Sequence, residues 1–139
     1  MLESSCRALV FPILVGLLAM PRAEAEPKLD LALVIAVDVS SSIVPAEQQL
    51  QRDGFVEAFR SPLVHQAIRR GNLGRIAVAY VEWAGKHDQK LVIPWTVMEG
   101  RQDAVAFADR LAAEPRRQGV FTSISGAIDF SVELLGQDA

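Results

Sequence analysis

The feature that most constrains this chain is residues 31–42, LALVIAVDVSSS. Seven apolar residues, 31–37, break at once into an acid and a cluster of hydroxyls: Asp38, Ser40, Ser41 and Ser42. Uninterrupted hydrophobicity of this length marks a strand covered on both faces, because a half-exposed strand would alternate. In α/β sheets, ligands collect outside the carboxyl ends of such strands. The sequence therefore predicts a central strand over about residues 30–37, with its chemistry in the 38–42 loop.

The remaining segments read as a frame for that strand. Pro45 opens a helix at the first-turn position, where its missing N–H costs nothing, and Leu50, Gly54, Phe55, Ala58 and Phe59 form its apolar stripe. Ser61-Pro62 ends it and caps a short helix over 63–70, for which Gly71 is the expected glycine cap. Residues 75–84 and 90–97 read as two strands joined by a turn at 85–89, a hairpin. Pro94 cannot donate to a sheet ladder, which places the second of them at an edge. A helix over 100–113 follows, its Ala104, Phe107, Ala108 and Leu111 at helical spacing and Pro115 at its end. A polar loop, 116–119, leads to the hydroxyls of residues 122–125 and a last helix over 125–135, with Ile124, Ile128, Ser131 and Leu135 on one side. The order is β-α-α-β-β-α-α. The opening strand, buried on both faces, calls for a neighbour on each side, and only the second strand is available. The sequence thus predicts a domain that stops part-way, with an apolar edge open to pairing with another chain.

The N-terminus has a different character. Residues 8–20, ALVFPILVGLLAM, are apolar but short for a membrane span. Arg7 precedes them and Ala23-Glu24-Ala25 follows as a small-x-small cleavage signature. Together these predict a secretory signal peptide over residues 1–25, a mature domain over 26–139, and a periplasmic or secreted protein with no stable membrane span after cleavage; an uncleaved N-terminal anchor is the alternative. The single cysteine, Cys6, lies inside that segment, so the mature chain would carry no disulfide and no thiolate. Removing residues 1–25 takes away two basic and two acidic residues and leaves the net charge at −3. No basic face results, which argues against a nucleic-acid partner.

Asp38, Ser40 and Ser42 stand as Asp-x-Ser-x-Ser. A tight loop with this spacing turns one carboxylate and two hydroxyls toward one point. These hard oxygen donors suit Mg²⁺ or Mn²⁺ rather than Zn²⁺, and Mg²⁺ retains waters, so a partial protein shell suffices. Thr122, in a second loop before the last helix, is the candidate fourth ligand, with Ser123 and Ser125 as alternatives. Asp38 and its serines could instead cap the following helix, and Thr122 could cap the last one. His65 and His87 lack companions at ligand spacing and read as surface or helix residues. Trp83 and Trp95 read as packing, and Glu82 as a solvated strand end. There is no Gly-x-Ser-x-Gly elbow, no second aspartate two residues after Asp38, and no phosphate loop at Gly119 or Gly126.

With AVDVSSS, RIAVAYVEWAG, VIPWT and TSISGAIDF on the page, the chain resembles the von Willebrand factor A-like domain with its metal-ion-dependent adhesion site, and within it a bacterial exported subfamily of unknown function. Asp38, Ser40 and Ser42 match the family's first metal loop and Thr122 its later threonine loop; Ser41 stands where the subfamily often has glycine. The resemblance implies an α/β, Rossmann-like fold: a mostly parallel sheet flanked by helices, here truncated after the third strand and the helix preceding strand four. It also implies a site whose open position takes an acidic residue from a protein partner, so that the activity is adhesion or assembly rather than catalysis. The family's aspartate after strand four has no counterpart, so the cation should bind weakly. A metal-assisted hydrolase centred on Asp38 and a non-functional truncated remnant are the competing readings.

Overall fold

The computed structural model describes residues 28–138. The expected signal peptide, with Cys6, lies outside the described residues. The elements run β1 (Leu31–Asp38), α1 (Pro45–Arg60), α2 (Pro62–Arg69), β2 (Ile76–Trp83), β3 (Gln89–Met98), α3 (Arg101–Ala113) and α4 (Ile124–Asp138). The class is α/β, as expected. The sheet has the order β1-β2-β3, with β1 parallel to β2 and β2 antiparallel to β3. It is therefore mixed, one pair of each kind, rather than mostly parallel.

The strand covered on both sides is β2, not β1. Every β2 residue after Ile76 is buried, and its alternation feeds two layers. Val78 and Tyr80 belong to a core with Val56, Phe59, Ile93, Phe107 and Leu111, under α1, α2 and α3. Ala79 and Val81 face the other way, with Leu134 and Phe130 of α4. β1 lies at the sheet edge, and Leu31 and Leu33 at its start are exposed. Its one neighbour is β2, the only strand the sequence makes available to it, and the expected burial on both faces fails at Leu31 and Leu33. β3 forms the other edge, and two register shifts fall opposite Val78–Val81: three steps of β3 oppose two of β2 around Pro94, and two oppose one between Ile93 and Leu91. The missing ladder donor is absorbed there, at an edge and at a bulge.

Helix boundaries follow the expected signals more closely than helix faces do. Pro45 and Pro62 both occupy the first turn, and Ser61 Oγ accepts the N–H of Leu63 at 3.2 Å. The α3 stripe is as expected, with Ala104, Phe107, Ala108 and Leu111 all buried. On α1 the buried residues are Arg52, Val56 and Phe59, and Leu50 is 74% exposed. The true face is 52, 55, 56 and 59, at i, i+3, i+4 and i+7, and it contains a charge. On α4 the buried side is Ala127 and Leu134, while Ile124, Ile128 and Val132 are exposed along an open apolar groove of about 300 Å³ beside Ala36 and Trp83. Gly71 does not serve as a left-handed cap; among the described residues only Gly74 has positive φ, 69°. A Cβ at Gly71 would lie 2.3 Å from Asp30 Oδ2, so close approach is what requires glycine there. That approach lets Asp30 accept the N–H groups of Leu73 and Arg75 at the foot of β1.

Candidate functional site

At the end of β1 the chain turns on a local hydrogen bond. Asp38 Oδ1 accepts the N–H of Ser40 at 2.7 Å, and Ile43 N–H closes onto the Ser40 carbonyl at 3.1 Å. The Ser40 side chain is fully buried and its Oγ lies 2.7 Å from Ser42 Oγ. The Ser40 and Ser42 hydroxyls thus meet, and the Asp38 carboxylate is tied to the Ser40 backbone N–H beside them. The cap of α1 is Val44, which makes no side-chain capping bond. The three residues consequently do not cap that helix, and the alternative reading of the motif is removed. One of the two hydroxyls donates its proton to the other, leaving the second O–H and oxygen lone pairs for another partner.

The second loop meets the first along its backbone. Gly119 N–H donates to the Val39 carbonyl at 2.9 Å, Gly119 pairs with Ser40 in an isolated parallel bridge, and Ser41 Oγ donates to the Val120 carbonyl at 2.9 Å. A Cβ on Gly119 would stand 2.1 Å from the Ala84 Cβ, so the loop reaches β1 only because this position is glycine. Gln48 Nε2 also donates to Val39, at 3.2 Å, tying α1 to the same carbonyl. Thr122 is exposed and lines a wider concavity with Gly85–Asp88, Phe121 and Ser123, so no bond brings it to Asp38, Ser40 or Ser42. Of its alternatives, Ser123 is committed elsewhere: its Oγ accepts the N–H of Gly126 at 3.2 Å, at the start of α4.

Sequence reasoning missed the charges beneath these loops. Glu82 is not a solvated strand end. It is 1% exposed and ion-paired with Arg52, itself buried. Strand alternation sets it on the Tyr80 side of the sheet, under α1. Burial, and then the Glu82 charge, push the Tyr80 hydroxyl up to about 12, with Arg52 opposing. The signal that could have located this pair is an arginine inside the i, i+3, i+4, i+7 face of α1. His65 is a helix residue, as expected, and lies buried on α2 with Nε2 2.7 Å from the Phe59 carbonyl. Trp83 and Trp95 pack, as expected.

Residues 28–139 match the family described as "Protein of unknown function (DUF1194)". The chain belongs to this family. No curated protein and no solved structure matches the chain. In this DUF1194 domain no group of three or more His, Cys, Asp or Glu is assembled among the described residues. Any cation at Asp38 would rest on one carboxylate, neighbouring hydroxyls and waters, a donor set suited to a small hard ion. No helix among the described residues is long and apolar enough to cross a membrane.

Proposed function

We propose that this chain is an exported, divalent-cation-dependent protein-binding module of the von Willebrand factor A-like kind, taking Mg²⁺ or Mn²⁺ at Asp38, Ser40 and Ser42, with Thr122 of the second loop as the further ligand once that loop moves toward them. The observation that carries this reading is the 2.7 Å approach of Ser40 Oγ and Ser42 Oγ, beside an Asp38 carboxylate that is turned into the same loop and caps no helix. The nearby carboxylates favour an acidic partner. Glu82 is held by Arg52, and Asp88 by Arg117 with both Nη atoms 2.7 Å from its Oδ1. Asp38 is left as the anion of the site. A divalent ion on a single carboxylate keeps net positive charge, and a carboxylate from a protein partner neutralises it. Binding or assembly is the activity that follows. The small-x-small signature at residues 23–25, after the apolar segment 8–20, supports export.

The test is Mn²⁺ titration of the purified chain, followed by paramagnetic broadening. Wild type should bind and broaden the resonances of residues 38–42, Asp38→Ala should lose the effect, and Ser40→Ala should weaken it. Equal broadening in wild type and Asp38→Ala would refute the reading.

A further inference from the structure

Glu82 stands beside Val37 in the β1–β2 ladder, directly below the candidate site. Its partner Arg52 also donates Nη1 to the carbonyl of Glu114 at 2.6 Å, where α3 ends. On the other side of Glu82, Arg117 brings Nε to 3.7 Å from Oε2 and passes on to Asp88. Arg52, Glu82, Arg117 and Asp88 alternate in sign and sum to zero, so little uncompensated charge is buried. The chain of charges joins α1, β2, the turn after β2 and the segment that follows α3.

That segment, residues 114–123, belongs to no helix or strand and carries Gly119, Val120 and Thr122. Its ends bond to the flanking helices, and two backbone bonds tie it to the sheet end, Gly119 N–H to Val39 and Ser123 N–H to the Ala84 carbonyl at 2.7 Å. The remaining anchors are the Arg52 and Arg117 guanidiniums, together with Ser41 on Val120 and Arg116 on Gln49. Guanidinium forks fix direction as well as distance. A buried ion pair adds little to stability compared with apolar packing of the same volume, so direction is what this one supplies best.

We propose that the Arg52–Glu82–Arg117–Asp88 chain fixes residues 114–123 against the Asp38 loop, making Glu82 and Arg117 positioning residues of the candidate site. This rests on the cation reading above. Arg117→Met in the full chain is the decisive variant. Its side chain is only partly buried, and the Arg52–Glu82 pair survives the change. Amide hydrogen exchange at Gly119 and Ser123 should accelerate about tenfold or more while Tyr80 in β2 keeps its wild-type rate, and Mn²⁺ affinity should fall about tenfold. Asp88→Asn should move the same readouts in the same direction. Wild-type exchange at Gly119 and Ser123 in Arg117→Met would overturn the proposal, as would accelerated exchange with unchanged Mn²⁺ affinity. Absence of Mn²⁺ binding by the wild type would instead overturn the cation reading, and the exchange rates would still decide whether the charges hold the segment.

Discussion

On the α1–α3 side of the sheet, Val78, Ile93, Met98, Ala104 and Leu111 are fully buried, and aromatic rings lock the layers. Phe55 meets Tyr80 edge-on with centroids 5.7 Å apart, and Phe59 meets Phe107 at 4.7 Å. On the α4 side, Ala79, Val81 and Leu134 are buried, Val34, Leu91, Trp95 and Phe130 are half-covered, and a line of α4 side chains faces outward. The first side supplies the hydrophobic free energy and the dry surroundings in which Arg52 and Glu82 must pair. The second docks one helix lightly, and that helix begins immediately after the Thr122 loop. Of the two loops of the candidate site, one is therefore seated on the well-packed layer and the other leads into the sparse one.

This contrast can be broken by truncating each side in turn. Phe107→Ala should cost about 3–5 kcal/mol in urea unfolding, the full penalty of an emptied core position. Leu134→Ala should cost about 2 kcal/mol, because a lightly packed helix can settle into the space; an equal or larger loss than for Phe107→Ala would show that the two sides are equivalent. The foot of β1 gives a pH test. The backbone N–H of Leu73 above all, aided by those of Arg75, Gly74 and Asn72 and opposed by partial desolvation, holds the Asp30 carboxyl below its usual value. A depressed carboxyl stabilises the fold above its unfolded value of about 4 and loses that contribution as pH falls through its folded value. The gap in urea midpoint between wild type and Asp30→Asn should accordingly be widest near neutrality and close in acid, and a pH-independent gap would contradict the assignment. Ile128→Ser, at a residue 56% exposed on α4, should change stability by no more than about 0.5 kcal/mol; a larger loss would mean that the outward face is covered in solution.

Local signals in the chain located the elements well. The α3 stripe was legible because its apolar residues are the buried ones, and Pro45, Ser61 and Pro94 announced a helix start, a cap and an edge. The gathering of Asp38, Ser40 and Ser42 was legible because it is set within five residues. What failed depended on partners distant in sequence. The stripe read for α1 does not include Arg52, because its counter-charge, Glu82, lies thirty residues on. The α4 face was misread because apolar residues occur on several sides, and the smaller Ala127 is the one that fits against the sheet. That Thr122 faces the turn at 85–88 and not the first loop depends on loop geometry, which spacing does not encode.

The two sides of the sheet also differ along their rims. β3 carries Pro94, and its pairing with β2 has two breaks in register, whereas residues 31–37 of β1 carry neither a proline nor a charge. Among the described strands, addition of a further strand is thus directional, accommodated at β1 and discouraged at β3.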